Sequence, residues 1–537
     1  MTETAICRVL SELRRTSTRI IGLSRGKNSE FAPALHCGVV GQVGRHVTID
    51  ILPDDVLLEI FDFDRLLALK SWNHPQLQTP WSWQRLAHVC QGWRSLVFAS
   101  PRRLQLRLYD TTSRKPVTQN PSCWPPSLPI AIWYPPGATI PTLTPNDEDN
   151  FFAVLEQRDR IGEINLAMTP ALFERLTALR QGPFPALEHL RLISPDSAYR
   201  PLLLPSTFLG PSAPRLRDIQ LVGVAFPTLP DFLLSTRDLA SLQLINIPNT
   251  NLFSVEMLVN HLPGLTHLKS LEIRFDSWTD ASGPLPSITP DHGVLQSLTE
   301  LRFKGVCGYL EYLVARLDAP FLQKFSIEFF DQPSFDTPKL AQFISHTEGL
   351  RSPCEMTIEL TVSDVAIVQQ FQESPCQLRI GLGIPCCALG RRVDSLSNIC
   401  RHLLSFLPNV EQLEIKAFYF SSSASRPHEQ MVDSTQWLEL FRSFPGVKAL
   451  GVSGALVRNI ASALERATTG EAAKDVFPAL CVLRFNGNRE YMSEIVESFV
   501  AARHPSDLCP SSTHRIRRGE GWFDYGSEDD QLHDWCP

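Results

Sequence analysis

The sequence predicts an α/β protein in two parts: a small N-terminal helical module, then an irregular array of parallel strands with helices on its convex side. Three observations carry this. A phrase of the form apolar-x-x-apolar-x-apolar recurs every twenty to thirty residues from residue 150 onward. Helix-like stretches with apolar residues three and four apart lie between the phrases. Ahead of the array, residues 49–101 hold two apolar stripes at helical spacing, each with its own start signal.

The phrase reads Leu187-Glu188-His189-Leu190-Arg191-Leu192, then Leu216-Arg217-Asp218-Ile219-Gln220-Leu221 and Leu239-Ala240-Ser241-Leu242-Gln243-Leu244. Copies follow at Leu268, Leu298 and Leu322, later ones at Val410, Val447 and Leu480, and a fainter early one at Ile161. Spacings from Leu187 to Leu322 are 29, 23, 29, 30 and 24 residues. Helices are predicted over Thr169 to Leu179, Leu252 to Leu262, Leu310 to Leu317, Ser395 to Leu407, Trp437 to Phe444 and Tyr491 to Ala502. Strand then helix at this period resembles a leucine-rich-repeat solenoid, in which each unit buries its leucines on the next and the x positions face the concave side. The position where that family places a turn-bonding Asn holds Pro195, Val224, Ile247, Asp276, Val306, Phe330, Phe418 and Ala455, and only Asn488 fits. The turns must therefore satisfy their backbone otherwise, and longer helical segments with irregular curvature are expected. Arg351 to Gly390 carries no copy and reads as an inserted or distorted unit.

In the N-terminal module, Pro53 suits a first helical position, and Asp54 and Asp55 complement the positive helix start. Val56, Leu57, Ile60 and Phe61 form one stripe. Thr79-Pro80 opens a second helix, with Leu86, Val89, Cys90, Trp93 and Leu96 on one face, and Ser100-Pro101 stops it. A unit this small cannot hold a large core alone, so an apolar face is expected to serve a partner. The Leu52-Pro53 entry, the Ile60-Phe61 pair and the closing Val89-Cys90-x-x-Trp93-Arg94-x-Leu96 resemble an F-box. The span between Pro53 and Val89 is longer than that family's. The resemblance implies docking on a Skp-type adaptor and, through it, a cullin scaffold, with Leu52, Pro53, Leu57, Ile60, Phe61, Val89 and Trp93 divided between adaptor contact and module core. It implies a substrate-recognition subunit of a Skp–cullin–F-box ubiquitin ligase, in which the repeat domain captures an unknown protein substrate. The alternative is a scaffold that binds the adaptor or another partner without promoting ubiquitination. The exposed strand positions offered to a substrate are Glu188, His189, Arg191, Arg217, Asp218, Lys269, Glu272, Glu300, Arg302, Lys324, Glu411 and Glu414. They mix both signs and suit a protein better than a polyanion.

The remaining segments are a flexible, mildly basic arm over 1–48, a Pro-rich connector with short strands over 102–149, the array over 150–502, and a disordered tail over 503–537. In the connector, Arg103 to Tyr109 and Leu128 to Tyr134 read as strands. The tail joins Arg515, Arg517 and Arg518 to an acidic, aromatic run that includes Trp522, Phe523, Tyr525, Glu528, Asp529, Asp530 and Trp535.

Composition narrows the function. The apolar share of 43% is that of a folded protein, and a net charge of −7 argues against a nucleic-acid binder. No apolar run reaches the length of a membrane span, and no signal-peptide pattern opens the chain. Thirteen scattered cysteines, Cys90, Cys307 and Cys481 among them in apolar patterns, read as buried free thiols of the cytosol or nucleus. Gly22-Leu23-Ser24-Arg25-Gly26 matches a nucleophile pattern without the strand and helix that motif needs. Gly38, Gly41 and Gly44 have the wrong spacing for a dinucleotide loop. Cys376, Cys386, Cys387, Cys400 and His402 lack paired metal spacing. No catalytic residue, metal or cofactor is expected, and the chain is predicted to be a non-catalytic subunit.

Overall fold

In the computed structural model, the described residues lie between 38 and 486. The main stretches are 52–70, 86–100, 128–134, 145–178, 182–194, 202–208, 212–226, 231–248, 255–276, 293–330, 335–350, 355–361, 364–370, 377–383, 389–402, 407–417, 432–453, 456–468 and 476–486. The chain is mixed α/β with a large, mostly parallel sheet, and it divides into two compact units, Met1–Leu166 and Ala167–Pro537.

The first unit opens with β1 (Gly38–Val40) and β2 (His46–Thr48), paired antiparallel within the predicted N-terminal arm. Helices α1 (Asp54–Lys70) and α2 (Gln91–Ala99) follow. Next come β3 (Leu108–Asp110), β4 (Ile130–Tyr134), α3 (Pro145–Leu155) and β5 (Ile161–Ala167), the three strands running parallel. Buried on both faces, β4 has a continuous apolar sequence in place of an alternating one. The Arg160 guanidinium donates to the carbonyl of Leu128 through Nε and Nη2, at 3.3 and 3.0 Å, fastening the entry of β5 to that of β4.

The second unit is built on β6 (His189–Ile193), β8 (Asp218–Val222), β10 (Ser241–Ile247), β11 (Ser270–Phe275), β13 (Glu300–Gly305) and β15 (Lys324–Phe330). These strands lie side by side in chain order, all parallel. Beyond them come β16 (Glu355–Leu360), β17 (Asp364–Gln370), β18 (Gln377–Gly383), β19 (Gln412–Ala417), β20 (Ala449–Ser453) and β21 (Val482–Asn486). Two-residue strands, β7 (Leu202–Leu203) with β9 (Val224–Ala225) and β12 (Gly293–Val294) with β14 (Leu317–Asp318), form separate small ladders. The helices are α4 (Pro170–Ala178), α5 (Asp231–Ser235), α6 (Val255–His261), α7 (Cys307–Val314), α8 (Pro338–His346), α9 (Leu389–His402), α10 (Ser434–Phe441) and α11 (Val457–Thr468).

The repeated phrase has one structural meaning throughout. Its first apolar residue precedes the strand and is buried in the copies from Leu187 to Val447, while Leu480 in the last copy is half-buried. Its amide closes a one-turn loop onto the residue three before, as Leu216 does to Ala213, Leu268 to Leu265 and Leu322 to Ala319, at 3.0–3.2 Å. The residue after it bonds the preceding copy, Arg217 to Glu188, Lys269 to Ala240 and Gln323 to Thr299, at 2.8–2.9 Å. Backbone bonds of this kind do the work expected of a buried Asn ladder.

The segment without a copy proves to be an antiparallel meander. β16 pairs antiparallel with β17, and β17 with β18. β18 then lies parallel to β15, and β16 parallel to β19, so the sheet runs β15-β18-β17-β16-β19-β20-β21. The chain leaving β15 thus passes two strand positions before it enters β16.

Candidate functional site

Two surfaces carry the residues singled out by sequence. The first is the helical pair. The Pro53 carbonyl accepts the first bonds of α1 from Val56 and Leu57 at 3.0 and 3.1 Å, so Pro53 stands one residue before the helix and not at its first position. Cys90 caps α2, its Sγ accepting from the Trp93 amide at 3.4 Å. The Thr79-Pro80 start signal lies outside the described residues. Leu57, Ile60, Phe61 and Trp93 are buried, and the rings of Phe61 and Trp93 meet at 4.7 Å. Arg94 Nε donates to the Ala87 carbonyl at 2.9 Å and closes the loop before α2. Of the seven motif residues, Leu52 is half-buried, Pro53 exposed and Val89 42% exposed.

The second surface is the open face of the sheet in the second unit. Strand alternation turns Leu301, Phe303, Phe325, Ile327, Leu378 and Ile380 inward. The residues between them share the other face, and parallel register aligns them in rows. Ser270, Glu300, Lys324 and Gln377 form one row; Glu272, Arg302, Ser326 and Arg379 the next; Arg274, Lys304, Glu328 and Gly381 the third. These rows wall a cavity of about 280 Å³. Ion pairs knit it: Arg302 to Glu300 at 2.6 Å, Lys304 to Glu328 at 2.6 Å, Arg274 to Glu272 at 3.6 Å, and Arg379 to Glu359 on β16 at 2.8 Å. Among the described residues, Lys324 has no ion-pair partner.

The cavity brings together four residues marked by sequence: Glu272, Glu300, Arg302 and Lys324. Glu272, expected to be exposed, is instead buried, at 7%, on a central strand, with Arg274 as its ion-pair partner. Lys269 stands one residue before β11 and does not line the cavity. Glu188, His189, Arg191, Arg217 and Asp218 form a group on β6 and β8, where His189 Nδ1 lies 2.8 Å from Asp218 in cross-strand register. Glu411 and Glu414 lie at β19, across the meander, paired with Lys448 at 2.5 Å and Lys416 at 3.0 Å. Sequence reasoning missed Arg274, Lys304, Glu328 and Arg379. The first three continue the alternation past the end of the phrase, which is the signal that could have found them. Arg379 sits on β18, which carries no copy of the phrase.

The thiols depart from expectation. Cys400 is buried, and burial pushes its thiol far up from the ordinary range. Cys307 is half-buried, but Cys90 and Cys481 are exposed, because each stands at the entry of its element and not within it. Among the described residues no His, Cys, Asp or Glu group could hold a metal ion, and no helix is long and apolar enough to cross a membrane. Ser24, Cys376, Cys386 and Cys387 lie outside the described residues.

No protein-family model and no curated protein matches this chain. Both surfaces therefore stand on their own residues. One offers a half-buried leucine, an exposed proline and an exposed valine beside a closed aromatic core; the other offers a charged, cavity-lining strip of mixed sign.

Proposed function

We propose that the chain is the substrate receptor of a Skp–cullin–F-box ubiquitin ligase, working in cytosol or nucleus. In this reading residues 49–101 are the F-box that docks the Skp-type adaptor. The second unit is an irregular leucine-rich-repeat-like solenoid interrupted by the β16–β18 meander, and its open strand face holds a protein substrate. The chain itself does no chemistry. It raises the rate of ubiquitin transfer on other subunits by proximity, turning a bimolecular encounter into a local one.

The observation that carries the reading is how the motif residues divide. Leu57, Ile60, Phe61 and Trp93 are buried in the chain's own helical unit, while Leu52, Pro53 and Val89 stay accessible. The half-buried Leu52 and the exposed Pro53 and Val89 are therefore the motif side chains that an adaptor could reach. The test is co-purification of the adaptor with the unaltered chain and with Leu52→Ala/Pro53→Ala. Losing interface anchors of about 2 kcal/mol weakens binding roughly thirtyfold, so the adaptor is expected to be lost while the chain stays folded. Undiminished adaptor capture by the variant would refute the assignment.

A further inference from the structure

The chain carries a net charge of −7, yet the cavity on its strand face has the opposite balance. Five cations on the wall, Arg274, Arg302, Lys304, Lys324 and Arg379, meet three carboxylates there and a fourth, Glu359, beside Arg379, so the excess positive charge is that of Lys324. Glu300, the neighbour of Lys324 in register, is turned to Arg302 at 2.6 Å, which leaves the Lys324 ammonium to solvent on a central strand. Arg302 is itself 53% exposed. Beside these cations the floor is bare, because the third row continues from Glu328 through Gly381 to Ala366. A shallow trough results, its wall of mixed sign with a single positive charge, that of Lys324, left over. The interleaved carboxylates disfavour a uniform polyanion and suit a polypeptide, whose spaced carboxylates can meet the cations while its N–H groups meet Glu300 and Glu328.

One segment of this chain has that chemistry. Between Glu520 and Asp534 stand Glu520, Asp524, Glu528, Asp529, Asp530 and Asp534, with no lysine or arginine among them. It is also within reach. From Asn486 at the end of β21, the trough at β18 and β15 is five or six strand positions away, roughly 25–30 Å at ~4.8 Å per strand. The residues between 486 and 520 can span up to roughly 110 Å at ~3.3 Å each.

We propose that the acidic run Glu520–Asp534 docks on the charged rows of β13, β15 and β18 and competes for this face with any partner segment. The regulatory meaning rests on the reading of the face as the capture site; the docking does not. Tethering sets an effective concentration in the millimolar range, so a contact that separate molecules make only at comparable concentrations still occupies the face. A partner must then either out-compete the tail or arrive with a higher density of negative charge.

The experiment is zero-length carbodiimide cross-linking of the full chain at low protein concentration, with the linked peptides mapped by mass spectrometry. The expected product joins Lys324 Nζ to a carboxylate of 520–534 within one molecule. Its yield is independent of protein dilution and falls at least about fivefold from low to high salt, since these charges are exposed to screening. A second measurement adds a synthetic peptide spanning 519–537. The full chain bearing Glu528→Gln, Asp529→Asn and Asp530→Asn is expected to bind it at least about tenfold more tightly than the unaltered chain, because its own tail no longer competes. Equal affinity for the two chains, no binding by either, or cross-links that avoid the strand face each overturn the proposal. Neither readout involves the adaptor, so failure here leaves the receptor assignment standing, and failed adaptor capture leaves the docking standing.

Discussion

At the residue scale, the helical pair separates what the fold needs from what a partner can use. The rings of Phe61 and Trp93 meet at 4.7 Å, tilted by 57°, and both are almost wholly buried. Phe61→Ala is expected to cost about 3–5 kcal/mol in urea unfolding of the first unit, while Val89→Ala, at an exposed position, stays within about 0.5 kcal/mol. Comparable losses from the two would mean that the burial assignment is wrong. Sequence spacing alone could not divide these residues, because the same stripe that faces a partner at one turn faces the core at the next. Cys90 and Cys481 show the same limit: an apolar neighbourhood in sequence marked them as core, but both stand at the mouth of an element. Glu272 errs in the other direction, since alternation fixes the face of a residue but not how far its neighbours overhang it.

At the scale of elements, the parallel strands were legible because each copy of the phrase pairs a buried turn residue with a strand start. The helices predicted near Thr169, Leu310 and Trp437 are present as α4, α7 and α10, with ends shifted by a few residues, while the one predicted near Tyr491 lies outside the described residues. The meander was not legible. β17 is buried on both faces from Val365 to Gln369 and so lacks any alternation. Gln369 is 0% exposed, and neither polar atom of its amide has a hydrogen-bond partner among the described residues. Gln369→Met, similar in volume, is therefore expected to raise stability by about 1 kcal/mol in thermal or urea unfolding; a loss of that size would show that the amide is satisfied after all. The start of α8 was also missed, although Thr337-Pro338 has the form of a helix entry. Thr337 makes no side-chain cap bond there; instead the Glu311 carboxylate of α7 accepts from the amides of Lys339 and Leu340 at 2.9 and 2.8 Å. Burial raises the Glu311 carboxyl above its usual range, a shift its two amide bonds only partly oppose. The folded state then holds this proton more tightly than the unfolded one. Its contribution to stability accordingly falls as pH climbs from the ordinary carboxylate pKa through the raised value. Glu311→Gln is expected to abolish that slope, and Glu311→Ala to cost about 1–2 kcal/mol at neutral pH; an unchanged slope in Glu311→Gln would place the titration elsewhere.

At the scale of the whole molecule, the two proposed tasks fall on separate units. The first unit carries the Leu52-Pro53 entry and Val89; the second carries the charged trough of β11, β13, β15 and β18. The strand face is suited to specificity, because its part-buried ion pairs fix where each charge stands and leave the exposed arms of Arg302 and Lys324 to an incoming chain. Each task should therefore be removable without the other. The most direct test measures adaptor and cargo together in three forms of the full chain: unaltered, Leu52→Ala/Pro53→Ala, and Arg302→Glu/Arg379→Glu. The first variant is expected to lose the adaptor and cullin while keeping cargo, and the second to lose cargo while keeping the adaptor. Loss of both partners from either variant, or of neither from both, would contradict this division of tasks.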